Sequence, residues 1–209
     1  MRTALGFRAH SGWAAMVTVA GTIDAPRVLN RRRIVIADPE MPGSKQPYHA
    51  AAELPFSKAE SLVRRAIESS RGLAFEAISS AVSALRAQGH EVGACGILLG
   101  SGKPLPSLER ILASHAMIHT AEGEMFRDVL VRASTDCGIS VSKIKERELL
   151  AQASASSSLP EAKLQQHLAA FGKQLGPPWR QDEKFATLAA WIALIRASSS
   201  AQRAIARAI

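Results

Sequence analysis

The sequence predicts an α/β fold, a mixed five-stranded sheet with helices on both faces and further helices at the C-terminus. Three observations predict it. Three short apolar runs follow one another within residues 3–38, joined by tight connections. Two more apolar runs come later, each reached through a long helical pattern, which implies parallel pairing by crossover. With 209 residues the chain can bury a sizeable core without disulfide staples.

The elements follow in order. "TALGFRA" and "WAAMVTVAG" are strands separated by the turn-like "HSG", and "RRRIVIAD" is a third strand ending at Asp38-Pro39. A Pro/Gly-rich loop leads to Ser57, with Glu60 three residues on. This capping-box spacing opens a helix through about Gln88, with Gly72 as its point of interruption. "EVGACGILLGSG" is an apolar run bounded by glycines, as expected of a fully buried strand. Ser107, after Pro106, caps one helix running to about Asp136, which Gly138 stops. "GISVSKIKE" supplies strand five and "ERELLAQA" a short helix. Residues 1–152 are thus expected to form the core, and the Ser/Ala-rich residues 153–159 a linker. Residues 160–209 then form C-terminal helices packed on that core, the last one beginning at Asp182.

Composition limits function. There are 26 basic against 18 acidic residues, a formal charge of +8, which favours polyanions such as nucleic acid. Cys95 lies in an apolar run and Cys137 precedes a glycine. No CxxC spacing points to zinc or redox chemistry, and reduced thiols fit a cytoplasmic protein. Arg8 and His10 interrupt the apolar N-terminus, and no window reaches the length of a membrane span, so no membrane partner is expected. Oligomeric state is not encoded in any pattern here.

The order of elements, with "ALGFRAHSGWAAMVTVAG" at the N-terminus and "DEKFATLAAWIAL" as the last helix, resembles the ribonuclease H-like superfamily, and within it the Holliday-junction resolvases. The resemblance spans roughly residues 3–150 and 177–195 and rests on element order and apolar pattern. It implies an acid on strand one, another at the end of the central strand, and a spaced acidic pair opening the last helix. Together these would hold two divalent metals for phosphodiester hydrolysis. The sequence departs from that set. Strand one has Gly6-Phe7-Arg8, the central strand has no acid, and three positions after Asp182 stands Phe185. An arginine repels the cation that a carboxylate would hold. The resemblance therefore implies the fold and binding of nucleic acid or another polyanion without the usual two-metal nuclease site, leaving a pseudoenzyme and an enzyme of different chemistry both open.

Two groups of residues are candidates for chemistry. His115, His119 and Glu122, at i, i+4 and i+7, share a helical stripe with Ile118, Phe126 and Val129 and are expected to point inward. The zincin motif is excluded because Ala116 stands where its glutamate would be. Three readings stay open. A divalent metal could be held by His119 and Glu122 with His49. A metal-free His/Glu pair could act as acid and base in a hydrolase. A buried hydrogen-bond network would make the chain a non-catalytic interaction module. The second group is the turn "RAHSGW", which sets His10 and Ser11 beside Arg8, with Asp182 as either a further catalytic group or a helix N-cap. Arg8 and the run Arg31, Arg32, Arg33 are the candidate nucleic-acid contacts. The arginine run, being in a strand, must divide between two faces. Lys103, in the glycine-rich loop after strand four, is taken as an exposed charge.

Overall fold

The computed structural model describes residues 1–22, 24–100 and 104–208, so Lys103 lies outside the described residues. The expected α/β architecture is present. Strands β1 (Arg2–His10), β2 (Trp13–Gly21) and β3 (Pro26–Val35) form an antiparallel meander. β4 (Glu91–Leu99) and β5 (Ser140–Lys145) extend it in parallel, giving the order β3-β2-β1-β4-β5. The meander is antiparallel because His10 and Trp13 pair across the two-residue turn Ser11-Gly12, where Gly12 takes φ +81.

Alternation along the strands assigns residues to two cores. Leu5, Phe7, Cys95 and Ile97 face a layer made of α1 (Pro47–Ala52), α2 (Phe56–Ala87), α3 (Leu108–Leu112) and α4 (His115–Asp136). Ala4, Val17, Ala94 and Leu98 face α5 (Leu149–Ser157), α6 (Glu161–Leu175) and α7 (Gln181–Ala208). Among the described residues no helix is long and apolar enough to cross a membrane.

Several expectations need correction. Helix α2 starts one residue before Ser57, with Pro55 at its N-cap and no side-chain cap, so the capping box does not form. Gly72 does not interrupt α2. It faces open space, while Val63, Ala66, Ser70, Ala74, Ile78 and Ala81 carry a continuous buried stripe whose packing outweighs the weak helix propensity of one glycine. The single helix expected after Ser107 is two helices, because Ser114 is extended (φ −140, ψ 115) and restarts the turn. Residues 153–157 of the segment read as a linker belong to α5, with Ala153 and Ser157 buried. Small residues here allow close packing rather than a flexible connection. The helices after it share one core with the sheet, so 1–152 is not closed without them.

Among the described glycines, the closest backbone approaches lie under α7. A Cβ on Gly6 would stand 1.8 Å from the carbonyl oxygen of Ala186, and one on Gly96 would stand 2.1 Å from that of Ala189. Both obstacles are backbone, so no rotamer change relieves them. Ala4, Ala94, Ala190 and Ala193 complete a seat of small side chains between helix and sheet.

Gly6→Ala is expected to destabilise the protein by about 3 kcal/mol or more. Gly72→Ala is expected to stabilise it by about 0.5–1 kcal/mol. Chemical denaturation of the two variants checks both signs. The Cys95 thiol is pushed up to about 11 by burial, and Cys137 is raised more modestly by the same cause. A thiol reagent should therefore modify Cys137 slowly in the native protein and Cys95 only after unfolding.

Candidate functional site

The parity of the strands brings one set of side chains to the α7 face of the sheet at the C-terminal end of β1. Arg8 and His10 share that face with Ala4 and Gly6. Across the ladder, Arg8 pairs with Ala15 and Ala15 with Arg33, while His10 pairs with Trp13. The start of α7 closes over them because the helix is seated on Gly6.

Arg8 is the centre of this group. Its Nε and Nη2 donate to the two carboxylate oxygens of Glu146, at 3.2 and 2.9 Å, and its Nη1 donates to Asp182. The ring of Phe185, one turn further along α7, lies 5.2 Å from the guanidinium carbon. Burial works against the charge on Arg8, but hydrogen bonds and attraction from Glu146 and Asp182 outweigh it and raise its pKa. Asp182 Oδ1 also lies 2.8 Å from His10 Nε2. Asp182 is therefore not the N-cap of α7. It is in the first turn, engaged across the sheet, and the backbone N–H of Arg180 is satisfied instead by Glu183 at 2.7 Å.

The two-metal set implied by the resemblance does not fit these residues. The position of the strand-one acid holds a guanidinium already bonded to Glu146 and Asp182. The position of the second acid on the last helix holds Phe185, which packs on that guanidinium. The cation at this place is a side chain.

Around it lies a basic and aromatic surface. His10 stacks on Trp13 at 4.2 Å, and the guanidinium of Arg33 sits 3.9 Å from the centre of the Trp13 ring. A cleft of about 390 Å³ is lined by Trp13, Arg31, Arg33 and Arg180 together with Asp182 and Glu183. The arginine run divides as expected, which separates its members' roles. Arg31 donates to the carbonyls of Leu175 and Pro177 and so closes the end of α6. Arg32 is on the other face and donates to Ala77, and Arg33 remains exposed on Trp13. Ser11 is exposed at the turn and takes no part in the Arg8 network.

The histidines form a second group on the opposite face of the sheet. The inward reading of His115 and His119 is corrected: both are exposed, and of the trio only Glu122, at 3% exposure, is buried. The direction along the stripe is the expected one, but the first turn of α4 lies beyond the apolar core and meets α1 instead. There His49 approaches, with ring centres 5.3 Å from His115 and 4.6 Å from His119. His115 Nε2 and His119 Nε2 are 3.0 Å apart. Glu122 Oε1 accepts the backbone N–H of His49 at 3.1 Å and lies 2.9 Å from its Nδ1, an ion-pair distance without the angle of a hydrogen bond. His10 belongs with Asp182, and His49 with His115, His119 and Glu122, so the histidines do not converge on one pocket.

The sequence alone does not mark Glu146, Trp13, Arg180 or Phe185 as site residues. Trp13 and Phe185 are at positions that strand parity and helix phase would have marked. Glu146 carries no local signal, since it reaches Arg8 only through the parallel register of β5.

Burial pulls the Asp182 carboxyl upward, but hydrogen bonds from His10 and Arg8 outweigh it and hold the group below its ordinary value of 3.8. A depressed carboxyl stabilises the fold above its unfolded pKa, and that contribution disappears as pH falls through the lower folded value. Asp182→Asn should thus cost about 1 kcal/mol at neutral pH, discounted for partial exposure. The gap to the wild type should narrow below about pH 4 in denaturation curves taken across pH.

No protein-family model matches the chain, and no curated protein matches it. Solved structures similar over its length include two of RuvC. The RuvC structure of Thermus thermophilus superposes with a TM-score of 0.52 at 10% identity, covering 95% of this chain and 96% of that one. T. thermophilus RuvC in complex with a Holliday-junction substrate gives 0.53 at 11% identity with the same coverage. The strand order, the helices on both faces and the closing helix α7 thus make this chain a ribonuclease H-like α/β fold.

Proposed function

We propose that the protein binds branched or duplex DNA on the α7 face of its sheet and does not cleave it by two-metal chemistry. The observation that supports this reading best is a juxtaposition. An arginine-lined cleft with Trp13 at its edge adjoins a site in which Arg8 takes the place of the metal ions. Arg33 and Arg180 are exposed and carry fixed charge for phosphates. Trp13 holds the Arg33 guanidinium by cation–π contact and His10 by stacking, so the charge is presented in a defined place. Arg8 itself is engaged by two carboxylates. Its role is to join β1 to α7 and to the turn at Glu146 that follows β5, beneath the cleft, and it makes no direct contact with the nucleic acid. The net charge of +8 adds a long-range attraction.

Fluorescence anisotropy against a labelled four-way junction, duplex DNA and single-stranded RNA tests the reading. Binding should be tightest to the junction and weaken linearly in log salt, and Arg33→Ala or Arg180→Ala should each reduce the slope by about 1. Absence of binding at low salt sinks the proposal. Cleavage of the junction with Mn²⁺ present would overturn its non-hydrolytic part.

A further inference from the structure

We propose that His49, His115 and His119 form a divalent transition-metal site, most suited to Zn²⁺, on the face of the sheet opposite the DNA cleft. The inference does not depend on nucleic-acid binding. One ring nitrogen from each of the three histidines lies within 4.8 Å of the others. The shortest separation, 3.0 Å between His115 Nε2 and His119 Nε2, is close to the spacing of about 3.3 Å that tetrahedral Zn–N bonds impose. His115 and His119 are one turn apart on α4, which points both imidazoles the same way. α1 brings His49 against them.

Without a cation, His115 and His119 share a single hydrogen bond at 3.0 Å, and solvent takes up the other ring nitrogens of these exposed side chains. A metal ion uses the lone pair of all three.

Glu122 is the second, independent observation. It is a buried carboxylate behind the cluster, anchored by the backbone N–H of His49 and 2.9 Å from His49 Nδ1. A buried carboxylate beside Nδ1 favours Nε2 as the ligating nitrogen, and a small turn of the ring on metal binding would bring Nδ1–H into hydrogen-bond geometry with Glu122, the arrangement in which a metal-ligating histidine is oriented from behind. His49 thus coordinates through Nε2, and Glu122 is a positioning residue rather than a ligand. Three neutral imidazoles select zinc and its neighbours over Mg²⁺ or Ca²⁺, which require oxygen ligands. With His115 and His119 exposed, the fourth position is open to water.

The test uses the full-length, tag-free protein stripped with a chelator. Titration with Co²⁺ should produce the visible band of a four-coordinate ion at one equivalent per chain, and Zn²⁺ should displace it. His115→Ala and His119→Ala remove exposed rings, so the metal-free melting temperature should not change, while Zn²⁺ affinity should fall by at least about 100-fold. Glu122→Gln should weaken Zn²⁺ by about 10–100-fold while leaving one equivalent bound. No band in the wild type overturns the site, as does a band that survives in the His115→Ala/His119→Ala double variant. An unchanged Zn²⁺ affinity in Glu122→Gln overturns the positioning role alone.

Discussion

Gly6 and Gly96 let the backbone of α7 rest directly on β1 and β4, and the arrangement of the α7 face follows from that contact. Side chains at either position would meet helix carbonyls at well under van der Waals distance, so the helix could not lie this close to any other residue type. Dispersion and apolar burial over Ala4, Ala94, Ala186, Ala189 and Ala190 hold the interface, with Trp191 and Leu188 filling the space beside it. The same seating carries the start of α7 over the end of β1, where Asp182 and Phe185 meet Arg8.

At that meeting point, charge and shape change together. A guanidinium on strand one needs acceptors once it is partly buried, and Glu146 and Asp182 provide them from two different elements. An acid at the position of Phe185 would add a third carboxylate to one arginine. A phenyl ring instead lies 5.2 Å from the guanidinium carbon, a cation–π contact. The set is internally consistent as an ion-paired brace, and it leaves the surrounding arginines, not the brace, facing outward.

The sheet separates two chemistries by parity alone. Residues 4, 6, 8 and 10 of β1 look toward α7, while Leu5 and Phe7 look toward α2 and α4. The arginine-rich cleft and the histidine cluster are therefore on opposite faces, each built from helices that belong to its own layer. The polyanion proposed for one face and the metal ion proposed for the other would therefore not compete for the same side chains.

By itself the sequence determined the fold class, the number and order of the strands and the division of the arginine run, because these depend on local apolar period and turn chemistry. It also marked His10, His49, His115, His119, Glu122 and Asp182 as unusual, since each is a polar group in or beside an apolar pattern. Only the tertiary structure decided how they group. His10 and Asp182 are 172 positions apart, and Arg8 and Glu146 are 138 apart, pairings set by helix seating and strand register rather than by any local signal. The exposure of His115 and His119 was likewise beyond a helical projection. A projection fixes the direction in which a side chain points, but not whether the helix at that point still has a core beneath it.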